Sequence, residues 1–305
     1  MYQVPDQTGR VTVITGANSG LGKETTRRLV EAGGAVIMGV RDLAKGEAAR
    51  QEILAQHPEA DLTLALVDMA DLSSIARFAD AVLADGARID TLINNAGLMA
   101  APTRMTTVDG FELHMGTNFF GAFALTMRLL PRLLESPAPR VVMLSSNLAR
   151  QGRIVLDDLQ RERRRYSRFG AYGDSKLADH MMGLHLAKVA AERNWPLISA
   201  IAHPGYTNTN LQTAGASIGS SKVRSSTGFS QKIMPTQGVE EGAVAVLVAA
   251  TDPKVNGGDY YGPTGRMNMI GPVALTEPAK QALDEDTAAK LWVEAERLTD
   301  TSLPS

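Results

Sequence analysis

Tyr172 and Lys176 stand four residues apart in "FGAYGDSKLAD", a stretch that opens a helical run. Side chains at that spacing are neighbours on a helix, so a phenol and an ammonium can share one site. A free tyrosine has a pKa of about 10, and a cation within roughly 4–6 Å favours the phenolate. The pairing therefore predicts a Tyr172 pKa lowered toward the range useful for proton transfer. Ser146, closing "RVVMLSS", can hydrogen-bond a substrate oxygen as negative charge develops on it. Ser145 beside it is the alternative for that role. Three such groups suffice to reduce a carbonyl, or oxidise an alcohol, against a nicotinamide.

Positioning them requires a scaffold, and the chain supplies an alternation. Short aliphatic runs at 10–16, 34–40, 61–68, 89–95, 140–146 and 196–202, with a late candidate at 258–262, are separated by segments of helical periodicity. Near-continuous apolar strands between helices are what a parallel sheet buried on both faces requires. The expected fold is a doubly wound α/β sheet, whose ligands bind beyond the carboxyl ends of the strands.

Those strand ends carry a consistent set of residues. The first runs into "TGANSGLGKE", where Gly16, Gly20 and Gly22 let the backbone approach a ligand, and Asn18, Ser19 and Leu21 complete a turn into a helix N-terminus suited to a pyrophosphate. The second ends in "GVRD". Arg41 there can form a forked pair with a 2′-phosphate, which favours NADP over NAD. Asp68 and Met69 close the third, Asp68 as an acceptor for an adenine amine. The fourth ends in "INNAG", where Asn95, Ala96 and Gly97 admit a flat ring close to the backbone.

Composition narrows the function classes. Among 305 residues, 31 basic and 33 acidic side chains give a formal net charge of −2, no footprint for a polyanion, so no nucleic-acid partner is expected. The chain has no cysteine, which excludes disulfides, thiolate metal sites and a cysteine nucleophile. No metal site is expected: His180 and His185, five apart, do not share one helix face and are read as packing or surface residues. "MYQVPDQTGR" has no signal-peptide pattern and no segment is apolar enough to span a bilayer, so a cytoplasmic protein without membrane partners is expected. The arginine-rich stretch 153–170 is expected to be a solvated face, and the Gly/Ser/Thr-rich segment at about 210–235 a substrate loop. The tail from about 276 to 298 is expected to form an amphipathic helix.

The order of these features along the chain adds a further level. A glycine turn, Asn-Asn-Ala-Gly at 94–97, Asn118 in "GTNFFG", Ser145–Ser146, Tyr172-x-x-x-Lys176 and "HPGYTNT" at 203–209 together resemble the short-chain dehydrogenase/reductase family over about residues 9–265. "NSGLGKETTRRL" and "VRDLAKGEAA" most resemble its retinol-dehydrogenase-like group. The resemblance implies one Rossmann-type NADP(H)-binding domain over 1–305 and a catalytic tetrad of Asn118, Ser146, Tyr172 and Lys176. In it, Tyr172 is the acid/base, Ser146 polarises the carbonyl, Lys176 holds the nicotinamide ribose and lowers the Tyr172 pKa, and Asn118 supports a proton-relay water. Pro204, Gly205, Thr207 and Thr209 would meet the nicotinamide. It also implies a small alcohol or carbonyl substrate and a homodimer or homotetramer. Two alternatives stay open: the same chemistry with NAD(H), and a dinucleotide-binding regulator without turnover.

Overall fold

The computed structural model describes residues 2–84, 86, 88–207 and 235–304. Thr209 and the substrate-loop segment 210–231 lie outside the described residues. Strands β1 (Val11–Thr15), β2 (Ala35–Val40), β3 (Leu62–Leu66), β4 (Thr91–Asn94), β5 (Arg140–Leu144), β6 (Ile198–Ala202), β7 (Tyr260–Pro263) and β8 (Val273–Leu275) form one sheet in the order β3-β2-β1-β4-β5-β6-β7-β8. The neighbours from β3 through β7 run parallel. The chain winds outward from β1 to β3, then returns across β1 to β4, so the order reverses between β1 and β4. The carboxyl ends of the strands at such a reversal are the place where sheets of this kind bind ligands.

Alternation along each strand feeds two cores. Val13, Leu92, Val141 and Met143 point to one face, under α3 (Leu72–Ala84), α4 (Gly121–Leu133), α5 (Arg168–Glu192) and α7 (Glu285–Thr299). Ile14, Ile93 and Val142 point to the other, under α1 (Gly20–Glu31), α2 (Leu43–Leu54) and α6 (Val239–Thr251). Both faces are covered, which explains why the strands lack polar alternation. The fold is Rossmann-type α/β.

Three expectations need correction. The sheet is not wholly parallel: β8 pairs antiparallel with β7, Tyr261 opposite Leu275. Three residues after Pro272 are too short a run for periodicity to register, and the strand exists only because β7 leaves an open edge. The tail does not turn helical at 276. A 3₁₀ turn covers Lys280–Leu283, and α7 starts only where the Asp284 side chain accepts from the Thr287 amide at 3.0 Å. Pro278 disfavours helical geometry at Glu277 before it. Trp292 then anchors α7 on Phe123 of α4 and His185 of α5, with ring centroids 4.8 and 4.9 Å apart.

The third correction concerns the arginines, of which two turn inward. Arg161 pairs with Asp174 of α5 at 2.7 Å, and Arg164 with Asp158 at 3.0 Å and Asp174 at 3.4 Å, whereas Arg163 remains exposed. They tie the 153–167 segment to the helix that carries Tyr172. Asp158 also accepts from the amides of Glu162 (2.8 Å), Arg163 (3.1 Å) and Arg164 (3.2 Å). Burial works to raise its pKa, but these donors outweigh it and bring the carboxyl from 3.8 down to about 2. A carboxyl depressed on folding stabilises the native state above its unfolded pKa, and that stability is lost as pH falls through the folded one. Urea unfolding of the wild type should therefore lose free energy from about pH 4 toward pH 2 more steeply than that of Asp158→Asn. Parallel pH dependences would remove Asp158 from the acid response.

Candidate active site

Crevice construction starts at the β1 end. Gly16 and Gly20 have φ of +69° and +51°, backbone that glycine adopts without strain. At Gly22 a Cβ would lie 2.3 Å from the Gly16 carbonyl oxygen, so α1 sits directly on the turn. Ser19 precedes α1 without a side-chain cap, leaving its first-turn amides for another acceptor. Asn18, Ser19, Gly20 and Leu21 are all half-buried along this turn. Asn95 locks it in place: its side-chain nitrogen donates to the Thr15 carbonyl at 2.7 Å, and the Asn95 and Ala96 amides donate to Thr15 Oγ1 at 3.1 and 3.0 Å. Asn95 thus shapes the crevice wall, and Thr15, which sequence reasoning missed, is its hub.

Arg41 is exposed at the end of β2. The neighbouring Asp42 caps α2 through the Lys45 amide at 3.1 Å and pairs with the Lys45 ammonium at 3.3 Å. Among the described residues no carboxylate pairs with Arg41. Asp68 Oδ1 accepts from the Ala70 amide at 2.9 Å, and buried Met69 backs onto α4, its carbonyl 2.4 Å from where a Cβ on Gly121 would stand. A Cβ on Gly97 would come 3.0 Å from Asn118 Oδ1 and 3.7 Å from Lys176 Nζ. The glycines at 16, 22 and 97 let the β1 turn, α1 and the Asn118 stretch close on one another, and the uncapped amides of the α1 N-terminus are what suits the pyrophosphate of a dinucleotide.

The candidate reacting groups come from three elements. Asn118 sits in a single π-helical stretch, Met115–Phe120, ahead of α4, a local irregularity common at functional sites. Its Oδ1 accepts from the Leu98 amide at 2.8 Å, and its Nδ2 donates to the Leu98 carbonyl at 3.1 Å and Ser175 Oγ at 2.9 Å. Both ends of the Asn118 amide are engaged, which ties the β4 loop to α5. Ser145 is buried and donates to the Lys176 carbonyl at 2.9 Å, whereas Ser146, whose hydroxyl accepts from the Leu148 amide at 3.3 Å, faces Tyr172 and acts to lower its pKa. The alternative kept open in the sequence, Ser145, is thus turned away from Tyr172 into a backbone bond. α5 begins at Ser167, whose hydroxyl accepts from the Gly170 amide at 3.3 Å, and carries Tyr172, only 5% exposed. Lys176, one turn on, donates to the Leu144 carbonyl at 2.9 Å and to Asp179 Oδ2 at 2.8 Å.

Charge balance here differs from the expectation. Burial raises the Tyr172 pKa, and although Lys176 and Ser146 lower it, Asp179 adds to the rise and the net direction is upward. The phenol is held protonated. Asp179 was not foreseen, although an acid three residues after a lysine is a legible helix-face signal. His114 flanks Tyr172 at a ring-centroid distance of 6.2 Å; its Nε2 accepts from the Ala101 amide and its Nδ1 meets Glu112. His180 is fully buried against Tyr260, ring centroids 4.4 Å apart, and burial pushes its pKa down to about 3.

Beyond β6, Gly205 has φ +70° and a Cβ there would meet the Met269 carbonyl at 2.3 Å. The Pro204 carbonyl accepts from Thr207 Oγ1 at 2.6 Å and from Gln237 Nε2 at 2.8 Å. Gln237, 33 positions away in the chain, was invisible to sequence reasoning. An open cleft of about 550 Å³, lined by Asn147, Arg150, Met267, Asn268, Thr276 and Glu277, begins one residue past Ser146, and Tyr172 does not line it.

A Rossmann-type sheet with a glycine crevice leading to a buried Ser–Tyr–Lys cluster defines the class: a nicotinamide dinucleotide-binding oxidoreductase. Residues 10–217 match the short chain dehydrogenase family, and the chain belongs to it, with its retinol-dehydrogenase-like members. Retinol dehydrogenase 12 of Mus musculus is 47% identical over 186 residues, 61% of this chain and 57% of that protein. The match thus spans less than two thirds of that relative's length. Retinol dehydrogenase 13 of Homo sapiens is 33% identical over 299 residues, 97% of this chain and 86% of that protein. A crystal structure of an uncharacterized protein from Mycobacterium Paratuberculosis superposes with TM-score 0.81 at 39% identity, covering 99% of this chain and 97% of the other. No helix among the described residues is long and apolar enough to cross a membrane.

Proposed function

We propose that the protein is an NADP(H)-dependent oxidoreductase that reduces an aldehyde or ketone, or runs the reverse oxidation. The observation that carries this reading is the buried Tyr172, on which both Ser146 and the Lys176 ammonium one turn along the helix act to favour the phenolate. The bound nicotinamide supplies or accepts the hydride. The chain's own residues handle the proton. In reduction, Ser146 donates a hydrogen bond to the carbonyl oxygen, and Tyr172, kept protonated by burial, delivers its proton to that oxygen as charge develops. Lys176 then offsets the phenolate left behind. Asn118 holds the wall against which these groups are aligned. The cleft past Ser146 takes the non-reacting part of the substrate. The assay is NADPH oxidation across a panel running from small aromatic aldehydes to retinal and steroid ketones. Tight NADPH binding with no conversion of any carbonyl or alcohol would favour the regulator reading.

Cofactor choice rests on Arg41, exposed and without a carboxylate partner among the described residues. Charge-assisted hydrogen bonds contribute about 1.5–3 kcal/mol. Arg41→Ala should weaken NADPH binding roughly 10- to 100-fold and leave NADH binding nearly unchanged, as measured by quenching of intrinsic fluorescence. Equal loss for both cofactors would favour the NAD(H) alternative.

A further inference from the structure

Lys176 carries a second, buried relationship beyond its tyrosine. The side chains of Lys176 and Asp179 are 6% and 2% exposed and meet at 2.8 Å, and Asp179 Oδ1 has no hydrogen-bond partner among the described residues. A carboxylate this deep persists only against a cation, and the one acting on it is Lys176. On the other side of Tyr172 lies the buried His114–Glu112 pair, with the His114 ring centroid 6.2 Å from that of Tyr172, and neither of its groups acts on Lys176 or Asp179. From β5 come the Leu144 carbonyl and Ser145, and from the π-helical stretch Asn118, bonded to Ser175 of α5. On α5 itself His180 responds to Arg150 and His203, not to this pair. Neither Arg150, which follows β5, nor Lys280, nor any acid of α7 acts on Tyr172, Lys176 or Asp179. Three titratable groups therefore share one enclosure, with a single ammonium between a phenol and a carboxylate.

We propose that Asp179 is a positioning residue that holds the Lys176 ammonium at the β5 end and divides its field with Tyr172, so that the phenol ionises at higher pH than Lys176 alone would set. The inference rests on the reading of Tyr172 as the proton-transfer group. Burial lifts the Asp179 carboxyl from 3.8 to about 6, against the pull of Lys176, so the pair's charge balance changes within an accessible pH range. Without the carboxylate, the ammonium faces Tyr172 uncompensated.

The test is a near-ultraviolet phenolate titration of the cofactor-free protein, with the Tyr172→Phe protein subtracted to isolate one tyrosine. Asp179→Asn should shift the Tyr172 midpoint downward by about one pH unit, and the acid limb of kcat/KM for alcohol oxidation should move the same way. Asp179→Ser serves as a second neutral variant should the asparagine protein fail to fold, and Asp179→Glu, which keeps the charge, should return the midpoint toward the wild-type value. A folded neutral variant with an unmoved midpoint, differing only in thermal stability, overturns the proposal and leaves Asp179 a structural ion-pair partner. A shifted midpoint in a protein without turnover upholds the electrostatic inference and counts against the proposed function. Turnover with an unmoved midpoint does the reverse.

Discussion

Tyr172→Phe should lower kcat about 10³-fold, within the 10²- to 10⁴-fold range that a positioned acid or base supplies, with NADPH affinity nearly unchanged. The substitution removes one oxygen from a side chain that is 5% exposed and keeps the ring that packs with Met99, Ala100 and Leu148. The fold therefore loses at most the polar interaction of one hydroxyl, about 1 kcal/mol. Reaction chemistry loses its proton source, because Ser146 is too weak an acid and the Lys176 ammonium is held by the Leu144 carbonyl and Asp179. Single-turnover reduction of an aldehyde, with fluorescence titration of cofactor and a thermal melt on the same preparation, separates these effects. Full turnover in a folded Tyr172→Phe protein would sink the proposed mechanism.

Gly22→Ala should abolish measurable cofactor binding and destabilise the protein by about 1–3 kcal/mol, the cost typical of overpacking. Elsewhere in a helix alanine is favoured over glycine by about 1 kcal/mol, so the sign here is opposite to the propensity. The reason is contact. The new Cβ would stand 2.3 Å from the Gly16 oxygen, 2.9 Å from its carbon and 2.6 Å from Asn95 Nδ2, and two of those three atoms are backbone. Relief requires α1 to retreat from the turn, which moves the helix N-terminus away from the crevice. Gly257→Ala, whose nearest neighbour would be the Ala187 Cβ at 3.4 Å, is the matched control. NADPH titration and urea unfolding of both variants test the claim; a Gly22→Ala protein that binds like wild type would show that the crevice tolerates a wider turn.

How much of this was legible depends on distance along the chain. The six aliphatic runs, and the late candidate at 258–262, each became a strand, the six because an aliphatic run of that length between helical segments is a local signature. The glycine turn and the Tyr172–Lys176 pairing were equally local, one being a property of a few consecutive residues and the other of a single helical turn. β8 was not legible, since Val273–Leu275 owes its extended form to the exposed edge of β7. Arg161 and Arg164 were misread for the same reason: a charge run looks solvated until Asp174 is brought against it by the docking of α5. The net direction of the Tyr172 pKa was also misjudged, because spacing reveals the cation but not the depth of burial that opposes it.

Residue types at strand ends and a four-residue spacing were enough to read the Rossmann-type fold and to point to the groups proposed to carry the chemistry, because those signals arise from neighbours in the chain. Which serine meets Tyr172, which carboxylate holds Lys176, what Asn118 and Asn95 are bonded to, and how Gln237 reaches Pro204 were settled by packing. Each depends on a hydrogen bond formed across the sheet or between segments whose approach no local pattern encodes.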